Sequence, residues 1–346
     1  MTLITILLVL IALLLVGLVF AVALRFWRMR QDERPLRSFA ATMRAAHVRM
    51  SVNDPYSVPR VLATGAPAAI DALCRGWRLT PVGEPAWFGR IWNDAEGLVI
   101  AEPNDVFAMS AVDRRLGASR RLLRALLRNR AGRPLDAIVW VIPADALVTE
   151  DGEPHEMSAV ALESSRKLIA LQRQIGLMLP LYIVISNCNA LPGFDDLADG
   201  LQSAASGATL GWASPYASRR TYEDAWLDEA FASMRAALAE TIVELGTLNG
   251  SVGDALFLLP QRLDRLRVPL RERVDLVLRG ATDGTAPLLR GVYCIGEVPE
   301  RVPAEESGSG PVLRVNAPTF AGRLWHDVLL SGQGLALPMP RVLALR

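Results

Sequence analysis

Six short apolar runs recur along the chain: Arg60–Thr64, Leu98–Ala101, Ala137–Ile142, Leu181–Ile185, Leu256–Leu259 and Val292–Ile295. Each is apolar almost without interruption, so the pattern predicts strands covered on both faces rather than on one. Between most of them, apolar residues repeat at three and four. That spacing predicts helices over Glu156–Met178, Glu223–Leu248 and about Gln261–Leu278. The second has acids in its first turn and Asn249-Gly250 at its end, as a helix stop requires. Strands alternating with helices predict an α/β domain on a mostly parallel sheet. The domain spans 59–297, with a helical insertion over about 220–280. Ligands of such sheets sit at the carboxyl ends of the strands, so chemistry is sought there.

Leu3 to Leu24 is a different kind of run, apolar throughout except for Thr5 and Gly17. As a helix it spans about 33 Å, enough for a hydrocarbon core of about 30 Å. A cleaved signal peptide needs a charged start and a shorter apolar stretch, and Met1-Thr2 carries no side-chain charge. The charges follow instead, as Arg25, Arg28, Arg30 and Arg34, with Phe26 and Trp27 at interfacial depth. The expectation is one uncleaved transmembrane helix over 1–24, the N-terminus periplasmic and the bulk cytoplasmic at a bacterial inner membrane. Residues 25–58 read as a juxtamembrane helix and the linker Ser51–Pro59. Residues 298–346 read as a second linker, through Pro311, and a C-terminal helical segment.

Composition narrows the function classes. Of 346 residues, 51% are hydrophobic, which excludes a disordered chain, and 37 basic against 36 acidic residues give no electrostatic appetite for nucleic acid. Cys74, Cys188 and Cys294 lie far apart without a CxxC pair, and His47, His155 and His326 are scattered, so no metal site is expected. No Ser-His-Asp signature is present.

The first strand runs into Gly65-Ala66-Pro67 and then a helix, where a phosphate loop belongs. A working loop reads GxxxxGK[ST]: glycine for backbone approach, lysine on the outer phosphates, a hydroxyl on magnesium. Gly65 is in place, but Ile70, Asp71 and Ala72 hold the other three positions. Lys167, the only lysine, falls within a predicted helix. A loop that had kept the phosphate-loop backbone would tolerate Ile70→Gly, Asp71→Lys and Ala72→Thr.

With its surroundings this pattern resembles the cytoplasmic N-terminal part of the IcmF/TssM family of type VI secretion systems. The resemblance rests on Trp87–Ala101, Leu122–Ile142 with Arg133-Pro134-Leu135-Asp136, Leu179–Phe194, Leu289–Tyr293 and Phe320–Pro338, in collinear order from about Pro59 to Pro338. It implies a P-loop GTPase-like domain. The departures imply that this domain is degenerate. Where the family's second strand ends in Asp-Thr-Ala-Gly, this chain has Ala101-Glu102-Pro103-Asn104, so Ala101 removes the magnesium carboxylate. Where the family reads a base with Thr/Asn-Lys-x-Asp, this chain has Ser186-Asn187-Cys188-Asn189, so Asn187 and Asn189 remove the charge and the guanine carboxylate. Phosphate charge, magnesium hydroxyl, magnesium carboxylate and base readout fail together.

No catalytic residue, cofactor or nucleotide is therefore expected. The reading is a non-enzymatic, membrane-anchored scaffold, a pseudo-GTPase. The partners implied by resemblance are a TssL-like inner-membrane protein, baseplate components and other TssM-like chains. One span and a stop at Arg346 add the expectation of a split or shortened paralogue, with a truncated gene as the alternative. An atypical NTPase and a tethered adaptor unrelated to secretion are the alternatives. Arg114–Arg130 carries seven arginines; a solvated helix face is expected there in preference to a headgroup or acidic-partner contact.

Overall fold

The structure, a computed structural model, describes residues 36–102, 116–149, 152–155, 159–201, 203–217, 220–279, 286–299 and 316–339. The expected membrane segment Leu3–Leu24 lies outside the described residues. Among the described residues no helix is long and apolar enough to cross a membrane.

The predicted alternation is realised as an eight-stranded mixed sheet. The strands are β1 (Arg60–Gly65), β2 (Thr80–Pro81), β3 (Arg90–Asn93), β4 (Leu98–Ala101), β5 (Ala137–Pro143), β7 (Pro180–Ser186), β8 (Leu210–Ala213) and β9 (Leu288–Cys294), in the order β2-β3-β4-β1-β5-β7-β9-β8. β4, β1, β5, β7 and β9 are parallel. β3 on one side and β8 on the other run antiparallel to their neighbours. The two-residue strand β6 (Leu177–Met178) pairs away from this sheet with β12 (Leu337–Pro338), and β10 (Gly296–Pro299) pairs with β11 (Asn316–Thr319).

The continuous apolar runs split between two faces. Val61 and Ala63 of β1, Val139 and Val141 of β5, and Tyr182 and Val184 of β7 enter one core. Leu62, Ile138, Trp140, Leu181 and Ile183 enter the other. The second face is covered by the helices 36–49, Leu116–Asn129, Ala159–Ile175 and Ala225–Asn249 and those that follow the last. The first face is covered by the helix Pro67–Gly76 and by the π-helical turn Leu324–Leu330, whose Trp325 is fully buried and stacks on Trp77 at 5.3 Å.

Two sequence expectations change. Leu256–Leu259 is not a strand: the helices Asp254–Phe257 and Leu259–Arg265 meet there. Leu256, Leu259, Leu263, Leu266 and Leu270 are buried while Phe257 is 69% exposed, a helical spacing that a four-residue apolar run conceals. The expected helix Gln261–Leu278 is two helices, Leu259–Arg265 and Arg267–Leu278. The stretch 51–59 is also tied down, because Arg130 donates to the carbonyls of Pro55 and Val58.

Candidate functional site

Parallel β1, β4, β5, β7 and β9 bring the three diagnostic segments to one edge of the sheet. The turn after β1, the end of β4 and the loop after β7 stand where the sequence reading places a nucleotide. The turn after β1 and the loop after β7 are both engaged within the protein itself.

After β1 only Ala66 separates Gly65 from the helix Pro67–Gly76. Pro67 stands in the first turn, and the helix N-cap, Ala66, makes no side-chain capping bond. A phosphate cradle needs a run of free backbone N–H groups between glycine and helix. Here the residues that would form it are already helical, and proline has no N–H to offer. Ile70 and Ala72 face the core, 1% and 2% exposed. The condition for the tolerant triple substitution is therefore not met. Asp71 turns outward and pairs with Arg90 of β3 at 3.1 Å, and that guanidinium also lies over the Trp92 ring.

Gly65 is explained by packing. Its φ is +133°, and a Cβ there would stand 2.0 Å from the Val141 carbonyl oxygen on β5. Glycine is required here by strand contact.

β4 ends at the buried Ala101, and the following Glu102 donates its N–H to the Ala63 carbonyl, 2.9 Å. The loop after β7 is stitched to the end of β9. Asn187 takes a left-handed conformation, φ +57°, that asparagine tolerates, and it opens the 3-10 turn Cys188–Ala190. The Cys188 N–H bonds the Ile295 carbonyl at 3.0 Å. The Asn189 side-chain oxygen accepts from the Glu297 N–H at 3.2 Å. A base-reading side chain must be free to meet its ligand; this one closes the strand β10. The thiols of Cys188 and Cys294, far apart in sequence, meet here, and burial pushes the Cys188 thiol well up, so it is chemically inert.

Among the described residues no cluster of histidine, cysteine or carboxylate could hold a metal ion. His155 is exposed, as a loop residue should be. Sequence reasoning missed two features. One is a groove of about 310 Å³ beyond the ends of β5 and β7, lined by Ala144, Asp145, Leu191, Leu258 and Arg262 among others. Its only sequence signal is the Pro143 and Pro192 that end the two strand segments. The other is a buried ionic cluster at the opposite edge. Arg130, expected on a solvated face, is 1% exposed and bonds both Asp136 oxygens at 2.9 and 2.8 Å, while Arg133 reaches the same carboxylate. Asp136 also accepts the Arg60 N–H at 2.7 Å. The Arg60 guanidinium is itself fully buried, and burial first, then Arg130, lowers its pKa to about 10. The signal was present in the run Arg130 to Asp136, but sequence alone does not say which arginines face inward.

A model of the IcmF-related N-terminal domain matches residues 117–345. The type VI secretion system component TssM1 of Pseudomonas aeruginosa is 24% identical over 238 residues, which cover 64% of this chain and 21% of that protein. The chain thus spans about a fifth of the length of the curated relative it matches. No solved structure matches it. With well over half of its length covered in one stretch, and the collinear motifs and the α/β sheet in agreement, the chain belongs to the IcmF-related N-terminal domain family.

Proposed function

We propose that the chain is a non-enzymatic, membrane-anchored scaffold of a type VI-like secretion apparatus, built on a GTPase-like domain that binds no nucleotide. The order β3-β4-β1-β5-β7-β9, with β3 antiparallel, supports the GTPase-like reading. It lines up, along one edge, the places where phosphate, magnesium and base would be met. The observation that carries the loss of nucleotide is the turn after β1. The helix begins one residue after Gly65, and the position of the phosphate lysine holds Asp71, ion-paired to Arg90. Phosphoryl transfer depends on positioning and charge neutralisation, and neither is supplied here.

Docking is the function that remains. By analogy with the family, its partners are a TssL-like inner-membrane protein, baseplate components and TssM-like chains. The run Leu3–Leu24 supplies the anchor in this reading. Calorimetry of the full chain with magnesium-GTP and magnesium-ATP tests it. No binding tighter than a Kd of about 100 µM, roughly 5.5 kcal/mol, is expected. Tighter binding of either nucleotide would establish an atypical NTPase instead.

A further inference from the structure

Two helices of this nearly neutral chain carry no acidic residue at all. The helix 36–49 holds Arg37, Arg44 and Arg49, and the helix Leu116–Asn129 holds Arg120, Arg121, Arg124 and Arg128. They are packed together: Phe39 and Met43 share one core with Leu122, Ala125 and Leu126. Trp87 locks the pair from β3's side, donating its Nε1 to Ser38 Oγ at 3.1 Å while the Arg121 guanidinium lies 5.9 Å above its ring.

The outward residues of the two helices form a single cationic face. Arg37, Arg44 and Val48 fall seven and four residues apart, on one stripe of the first helix. All three are exposed, Val48 by 75%. Arg124 and Arg128 form an exposed stripe on the second. Among the described residues, Arg44, Arg124 and Arg128 pair with no acid. Between the helices runs a groove of about 310 Å³ lined by Leu36, Arg37, Ala40, Ala125, Arg128 and Asn129, two cations beside small apolar side chains.

The position of this face along the chain identifies its occupant. Only eleven residues, twelve Cα-to-Cα steps, separate the end of the apolar run, Leu24, from Leu36, where the first helix is entered. That connection reaches at most about 43 Å extended and about 18 Å as a helix. A face with the exposed guanidinium groups of Arg44, Arg124 and Arg128, an exposed valine and a groove of mixed character, held that close to a bilayer, is complementary to anionic headgroups. We infer that the paired helices 36–49 and Leu116–Asn129 dock on the membrane surface through anionic phospholipid, with a headgroup phosphate in the groove beside Arg37 and Arg128. The inference rests on the anchor reading only for proximity; the charge and the groove belong to the described helices.

The test uses the full chain carrying Val48→Cys, labelled at that position with a polarity-sensitive dye. The three native cysteines are buried and leave the label specific. The dye is expected to shift to the blue in vesicles containing phosphatidylglycerol and not in pure phosphatidylcholine. High salt should reverse the shift, because exposed charges are then screened. Arg124→Glu with Arg128→Glu should abolish it, with circular dichroism confirming the fold. Arg323→Glu, exposed on the other side of the sheet, should leave it intact. An equal signal in both lipids, or one untouched by the paired charge reversal, overturns the inference. So does silence in both lipids, the result an acidic protein partner predicts. The anchor is read separately, by sedimentation with phosphatidylcholine vesicles in high salt. If the anchor fails, the face must still carry the chain to phosphatidylglycerol vesicles in a salt-sensitive way, and failure of that overturns it too.

Discussion

Asp136 shows how one side chain can organise an interior. It stands just before β5, 3% exposed, and accepts from the Arg60 backbone and from the guanidinium groups of Arg130 and Arg133. An isolated guanidinium cannot shed its proton, so the carboxylate is what makes its burial tolerable. Asp136→Ala would leave two buried cations, Arg60 and Arg130, with the half-buried Arg133 beside them and no carboxylate between. Its expected cost is about 3–5 kcal/mol, read as a fall in the urea midpoint at unchanged slope. The pair Arg130→Met with Asp136→Leu removes charge from both sides and should cost clearly less than the single change. If Asp136→Ala left the unfolding free energy within about 0.5 kcal/mol of wild type, the carboxylate would not be what holds the buried arginines in place. Arg60 sharpens the expectation: among the described residues its side-chain nitrogens find no acceptor, and Asp136 is the carboxylate that favours its charged form.

At the scale of elements, the long and strongly patterned pieces were legible. β4 is found where its apolar run predicts it, and β1, β5 and β7 extend theirs by one or two residues. The helices predicted over Glu156–Met178 and Glu223–Leu248 form as Ala159–Ile175 and Ala225–Asn249. What stayed hidden was short or set by partners. β3 and β8 are four residues each, with no alternation to betray them, and they exist because β4 and β9 offer an open edge. At the candidate site the residue identities were readable, but not the helix starting at Pro67, nor the bond from Asn189 to Glu297. The juxtamembrane helix was legible as a helix and not as a docked one. It buries Phe39, Met43 and Ala46, and with them His47, against Arg60 and Arg130. Burial first, then those two cations, lowers the His47 pKa below 6.5. The unfolded chain therefore binds the proton more readily than the folded one, so stability is full above pH 6.5 and declines as pH falls below it. Thermal unfolding between about pH 8 and pH 5 should show this decline, and His47→Gln should flatten it. Parallel profiles for the two proteins would mean that the helix docks without sensing the imidazole.

At the scale of the molecule, the sheet is covered unequally. One face lies under several helices, whereas the other depends on the helix Pro67–Gly76 and on the segment beyond residue 316. That segment reads in sequence as a C-terminal helical segment beyond a polar linker that ends at Pro311. In the fold it is part of the core. Leu324 and Trp325 are fully buried, and Leu329 and Phe320 nearly so. The Trp325 Nε1 donates to Asp94 in the β3–β4 turn at 2.8 Å, and Gly97 in the same turn leaves no room for a Cβ beneath the Trp325 ring. β11 pairs with β10, and the Phe320 N–H bonds the Ala205 carbonyl at 2.8 Å, so the segment is tied to both ends of the domain. Each of the four large apolar side chains contributes about 1.5–3 kcal/mol by burial. Their sum is comparable with the whole stability of an ordinary domain, about 5–15 kcal/mol. A chain ending at Pro299 would also leave Val61, Ala63, Val99 and Val139 with the helix Pro67–Gly76 as their main remaining cover on that side. It is expected to lose cooperative thermal unfolding and to aggregate, while removal of residues 340–346 alone should leave the transition in place. A soluble, cooperatively folding chain ending at Pro299 would show that the helix Pro67–Gly76 suffices for that face, and that the C-terminal segment is detachable.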